Sequence, residues 1–222
     1  MTEIDLMVFD FDGTLVSSGR DLAAAVNHAL AETGLPVRRE EEIRGFIGDG
    51  IGTLVERALG QEHAALAPQV LEIFSAYYWE HLLDTTNLHP GVRRMLEHFR
   101  GTRKIIVTNK RKAYTLKIAE GLNIEEYFEE IVCKDSEPYA KPDERLLAPR
   151  LAEYSVDRKR TVVVGDGVND VMLAKNTGVL SCAFLNGLTD REGLIALQPD
   201  YLCESMDELP ALFQRVLSID RE

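Results

Sequence analysis

Short apolar runs recur along the chain, and segments of helical spacing separate them. The runs lie at residues 4–9, 104–108, 161–165 and 180–185, with a shorter one at 130–133 and another at 200–203. Each is short enough for a buried strand and too short for a core helix. Helical spacing falls at 111–120, 144–153, 170–176 and 206–217. Strands alternating with helices of about ten residues need right-handed crossovers, and so a parallel sheet covered on both faces. The expected fold class is therefore α/β, a doubly wound parallel sheet.

One stretch breaks the rhythm. Between Arg20 and Leu83 helical patterning covers 21–33, 52–59 and 66–83, punctuated by Gly34, Pro36, Gly48, Gly50 and Gly60, with no convincing strand. It reads either as one long helical crossover or as a helical subdomain inserted after the first strand. Some 70 residues is far more than a crossover requires, which favours insertion. The expected division is a core of residues 1–16 and 89–222 with a helical cap of 17–88. Charge separates the same two parts: residues 17–88 carry 11 acids against five bases, all arginine, and every lysine lies between Lys104 and Lys175.

Composition excludes several partners. The 222 residues hold 25 Lys+Arg against 37 Asp+Glu, a net charge of −12, so neither duplex nucleic acid nor an anionic membrane surface is an expected partner. No apolar run approaches the length of a transmembrane helix, and the acidic start MTEIDLMVFD is unlike a signal peptide. Three widely spaced cysteines, Cys133, Cys182 and Cys203, fit a reduced cytoplasm and read as small buried hydrophobes. The chain is expected to act as a monomer or homodimer.

The chemistry gathers where strands end. The first runs into Asp10-Phe11-Asp12-Gly13-Thr14, two carboxylates at i and i+2 on one side of a strand. Ligands bind at the carboxyl ends of open α/β sheets. Such a pair is tolerable if a divalent cation lies between the acids or one is protonated. A second acidic cluster, Asp166-Gly167-Val168-Asn169-Asp170, follows the strand at 161–165, and Asp10 with this cluster suits Mg²⁺, which takes oxygen ligands and few carboxylates. Thr108-Asn109-Lys110 ends another strand with a hydroxyl and amides suited to phosphate oxygens. Lys141-Pro142 places a cation on a stiffened loop, able to neutralise a nucleophile and a phosphate.

DFDGTLV, VTNK, a lysine before proline, and GDGVND stand in the order and at spacings that resemble the haloacid dehalogenase-like superfamily of aspartate-nucleophile phosphotransferases. The resemblance covers nearly the whole chain, and the insertion resembles that superfamily's helical cap. FIGDGIGTLVERALG and VTNK look like its phosphoglycolate phosphatase branch. The resemblance implies that Asp10 attacks phosphorus to form an aspartyl-phosphate, and that Asp12 protonates the leaving alkoxide and later accepts a proton from water. It implies Mg²⁺ on Asp10, the backbone carbonyl of Asp12 and Asp166, with Asp170 in its shell directly or through water, and Thr108, the Asn109 backbone and Lys141 on the phosphoryl oxygens. The implied substrate is a small-molecule phosphate ester, with 2-phosphoglycolate the leading candidate.

Two departures stand out: Ser17 occupies a position where the family usually has an acid, and GDGVND resembles the phosphoserine phosphatase form of the motif. The cap lacks the lysine of phosphonate-cleaving relatives, and retention of Asp12, Asp166 and Asp170 argues against metal-free dehalogenases. Pyrophosphate and nucleotide-phosphate hydrolases are the nearer rivals, a sugar-phosphate mutase a more distant one. A phosphate-accepting receiver domain, the non-enzyme alternative, lacks both a cap and a counterpart to Asp12. Within the cap, Arg44, Phe46, Ile47 and Gly48 are expected to face the site, with Arg44 placed to pair a substrate carboxylate. Phe74, Tyr77, Tyr78 and Trp79 read as packing residues, and the five histidines need no catalytic role.

Overall fold

The computed structural model describes residues 2–215. Its main sheet has six strands, all parallel: β2 (Leu6–Phe9), β3 (Arg103–Val107), β4 (Glu130–Val132), β5 (Thr161–Gly165), β6 (Leu180–Phe184) and β7 (Tyr201–Cys203), in the order β4-β3-β2-β5-β6-β7. The chain leaves the central β2 towards β3 and β4, then returns to its other side at β5. That reversal opens a crevice beyond the carboxyl end of β2. All four residues of β2 are fully buried. Met7 and Phe9 face one apolar layer and Leu6 and Val8 the other, the period-two alternation of a strand covered on both sides.

α5 (Val92–His98) and α6 (Lys112–Gly121) contribute Met95, Leu96 and Ile118 to the first layer, and α7 (Ala148–Glu153) and α8 (Val168–Thr177) contribute Leu151 and Leu173 to the second. The helix expected at 144–153 is a 3₁₀ turn at Glu144–Leu146 followed by α7. A short helix, α9 (Arg191–Ala196), lies between β6 and β7.

Two expectations need correction. The run at 4–9 is not one strand: Ile4 ends a separate strand, β1 (Thr2–Ile4), and Asp5 breaks the run, held by its backbone and carboxylate to Arg160. The helix expected at 206–217 is a 3₁₀ turn at Met206–Glu208, a four-residue helix α10 (Leu209–Leu212), and then a strand β8 (Phe213–Arg215) parallel to β1. The pattern failed there because Phe213 buries completely against Tyr201 in an extended conformation, a tertiary demand that local spacing does not encode. Residues 216 and 217 of that expectation lie outside the described residues.

The helical stretch contains α1 (Gly19–Glu32), α2 (Glu40–Arg44), α3 (Ile51–Leu59) and α4 (Ala67–His81). Helix α1 packs along α4 and buries Leu22, Val26 and Leu30, while α4 buries Val70, Phe74 and Tyr78. The chain enters and leaves this unit side by side, where Val16 and Leu88 form an isolated antiparallel bridge: the Ser17 N–H donates to the Asn87 carbonyl, and the His89 N–H to the Leu15 carbonyl. Asp21 secures the exit, its buried carboxylate accepting from the backbone and hydroxyl groups of both Thr85 and Thr86. No helix among the described residues is long and apolar enough to cross a membrane.

Candidate active site

Asp10 leaves β2, Thr108 leaves β3 and Asp166 leaves β5, so three neighbouring strands deliver their first polar residues to one crevice. Asp170 joins them from the first turn of α8. One of its oxygens accepts the Gly167 N–H at 2.9 Å, which satisfies a helix-start donor, and the other faces Lys141. Lys141 reaches in from the loop after β4 and donates to Asp10 Oδ1 and Asp170 Oδ1, both at 2.6 Å. Its side chain is only 3% exposed.

Asp166 is fixed by three hydrogen bonds to two residues. The Thr14 hydroxyl donates to Oδ1 at 2.6 Å and accepts the Asp166 N–H, and the Leu188 N–H donates to Oδ2 at 2.7 Å. Gly13 lets the first loop approach: its φ is +86°, and a Cβ there would lie 2.2 Å from Asp166 Oδ2.

Asp10, Asp166 and Asp170 each offer an oxygen within 4.8 Å of the others. Three carboxylates face one nearby ammonium, so negative charge is in excess. Burial pushes the Asp10 carboxyl up to about 8, with repulsion from Asp170 and Asp166 adding and Lys141 opposing. Burial and then Asp170 push Asp166 up to about 6, against the Leu188 and Thr14 hydrogen bonds. Either protons or a cation must offset this excess. An all-oxygen, buried, carboxylate-rich set is the kind Mg²⁺ takes, so these residues fit a divalent ion.

Asp12 stands two residues from Asp10 but has different surroundings. Its side chain is outside the three-carboxylate cluster, with Ser18 Oγ and Lys110 Nζ donating to it. Thr108 and Asn109 line the crevice beside Asp10 and Asp12. The Asn109 side chain ties the loops together, accepting the Lys141 N–H at 2.9 Å and donating to the Gly48 carbonyl at 3.0 Å.

Ile47 and Gly48 reach the crevice, as expected of the cap segment, and Phe46 packs against the apolar core. Arg44 does not join Asp10. It lines a neighbouring recess with Ser17, Arg20, Thr85 and His89, and lies 3.6 Å from Glu40. The arginine facing the crevice is Arg57, which holds Asp49 at 2.5 Å, while Asp49 also accepts from Asn169 at 2.7 Å. Sequence reasoning missed Arg57, Asp49 and Asn169 as a group, together with Lys110 and Tyr78. Lys110 stands in VTNK, Asn169 in GDGVND, and Asp49 and Arg57 in FIGDGIGTLVERALG, so each carried a motif signal without a role; Tyr78 carried none. Of the four aromatic residues read as packing, Tyr78 also has its hydroxyl engaged by Lys110.

The sequence profile of the haloacid dehalogenase-like hydrolases matches residues 7–184. The chain is 32% identical over 216 residues to a phosphoglycolate phosphatase of Vibrio parahaemolyticus, covering 93% of this chain and 95% of that one. It is 34% identical to a phosphoglycolate phosphatase of Pseudomonas syringae, covering 98% of this chain and 81% of the relative. The crystal structure of a predicted phosphoglycolate phosphatase from Haemophilus somnus superposes with a TM-score of 0.88 at 26% identity, over 96% of this chain and 99% of that one. With three strand-end motifs and the Lys141 loop converging on one crevice and similarity running over nearly its whole length, the chain belongs to the haloacid dehalogenase-like hydrolases and is a phosphatase-type enzyme of that family.

Proposed function

We propose that this enzyme hydrolyses a small phosphate monoester through a phosphorylated Asp10, with 2-phosphoglycolate the leading candidate. The observation that carries the reading is the buried meeting of Asp10, Asp166, Asp170 and Lys141, a site built to gather negative charge and offset it with cations. Asp10, Asp166, Asp170 and the backbone carbonyl of Asp12 would hold Mg²⁺, whose charge when bound favours an ionised Asp10 and a phosphoryl group beside it.

Asp10 attacks phosphorus with one carboxylate oxygen while the bond to the ester oxygen breaks. Asp12 enters this step as the neutral acid and gives its proton to that departing oxygen, becoming the carboxylate that Lys110 neutralises. Water then attacks phosphorus, Asp12 takes the proton it loses, and the bond to Asp10 breaks. Lys141 neutralises Asp10 and a phosphoryl oxygen, and Thr108 with the Asn109 backbone holds the oxygens that do not react. Residues 17–88 act as a cap whose Gly48 loop closes the crevice over Asp10 and excludes bulk water.

The names of the relatives favour a small leaving group. The three cysteines are free thiols, with the Cys182 and Cys203 sulfurs hydrogen-bonded at 3.7 Å, in accord with a reducing cytoplasm. The test is turnover by purified protein with Mg²⁺ on 2-phosphoglycolate, pyrophosphate, nucleoside monophosphates and hexose phosphates. Preference for 2-phosphoglycolate is expected; no turnover of any ester sinks the phosphatase reading.

A further inference from the structure

Lys110 sits between Asp12 and the helical unit. Its ammonium donates to Asp12 Oδ1 at 2.9 Å and Oδ2 at 3.1 Å, and to the Tyr78 hydroxyl oxygen at 2.7 Å. The Lys110 side chain is 2% exposed and Tyr78 is fully buried. Tyr78 belongs to α4, where its ring stacks on Phe74 at 5.4 Å and meets Tyr114 of α6 edge-on at 5.1 Å. Burial pushes the Tyr78 hydroxyl up to about 12, so near neutrality it stays a phenol.

We propose that Lys110 and Tyr78 are a positioning pair that aims the Asp12 carboxyl at the leaving oxygen, and that the pair is complete only while α4 lies against the core. The inference rests on the phosphatase reading above, in which Asp12 is the proton donor. Ser18 and Lys110 both donate to Asp12 Oδ1, whereas Oδ2 receives only the longer Lys110 contact. Oδ2 is thus the less saturated oxygen and the one that carries the proton to the departing ester oxygen as its bond to phosphorus breaks. Lys110 gives up no proton; it holds the carboxyl's rotation, and Tyr78 holds Lys110. A long, flexible lysine fixed at one end only would keep several rotamers. The second contact makes proton delivery depend on the helical unit.

The test compares an alkyl ester with an aryl ester. An alkoxide needs protonation to leave, whereas p-nitrophenolate leaves without it. The readout is the ratio of kcat/KM for 2-phosphoglycolate, or the best alkyl phosphate of the screen, to kcat/KM for p-nitrophenyl phosphate. This parameter stops at phosphoryl transfer to Asp10, so the later Asp12-dependent attack of water does not enter it. Lys110→Met should lower the ratio about tenfold or more, and Tyr78→Phe about threefold in the same direction. An unchanged ratio in both variants, whatever the uniform loss, overturns the positioning pair and leaves the phosphatase reading standing. Wild-type protein inactive on both esters refutes that reading itself. Tyr78→Phe removes a single oxygen atom and decides the matter alone if the methionine variant does not fold.

Discussion

Asp10 and Asp12 differ by two positions in sequence and occupy opposite electrostatic settings. Asp10 shares Lys141 with Asp170 and faces Asp166, so its surroundings carry more negative charge than positive. Asp12 has Lys110 to itself, with the Ser18 hydroxyl donating to the same carboxylate. The first arrangement wants another cation and the second is already neutral. Two identical side chains therefore suit different tasks: one to bind and attack in a field completed by metal, the other to be held by hydrogen bonds and pass a proton.

The largest test of this contrast is Asp10→Asn. Turnover should fall about 10⁴-fold or more, as when a nucleophile is removed. Because the substitution removes a charge from a repelling cluster, unfolding free energy at pH 8 should change by no more than about 1 kcal/mol. Denaturant titration beside a rate measurement checks both, and appreciable residual turnover would refute the nucleophile assignment.

Asp12→Asn should behave differently. It leaves the buried Lys110 ammonium without its anion, which costs about 3 kcal/mol and should appear as an earlier denaturation midpoint. An Asp12 variant as stable as the wild type would erase the distinction drawn between the two acids.

The smallest effect is on metal binding. Ordinary aspartate titrates near 3.8, and burial with neighbouring charge raises Asp10 to about 8 and Asp166 to about 6. Protons compete with metal for these oxygens, so Mg²⁺ affinity measured by calorimetry should weaken about tenfold for each pH unit between 8 and 6 and more steeply below 6. Without metal the folded state binds more protons than the unfolded chain between pH 4 and 8. The stability from this source is full below about 4 and is lost as pH rises towards 8. Added Mg²⁺ should restore it; a metal-free protein equally stable at pH 5 and 8 would contradict the crowded-carboxylate picture.

Much of this molecule is legible in one dimension because its chemistry sits at strand ends. A strand alternates its side chains and stops at a turn, so Asp10, Thr108 and Asp166 could be placed from apolar runs alone. The helices at 21–33, 52–59 and 66–83 were similarly readable from apolar spacing and glycine punctuation, and appear as α1, α3 and α4. Where local pattern misled, long-range packing was responsible. Phe213 extends to pair β8 with β1, and Asp5 divides an apolar run by bonding Arg160. The partners within the site were also hidden. Thr14 and Asp166 are 152 positions apart, Lys110 and Asp12 are 98 apart, and Tyr78 looked like one more core aromatic until its hydroxyl met an ammonium.

By itself, the order of amino acids determined that a parallel sheet would carry acids at its carboxyl edge and interrupt itself with helices, because periodicity and turns are local properties. Only the tertiary structure decided which acid keeps a lysine to itself, which acids must share one, and that Arg57 rather than Arg44 faces the crevice. Those outcomes depend on burial and on distances of a few ångströms between remote segments, and both arise only when the chain has closed on itself.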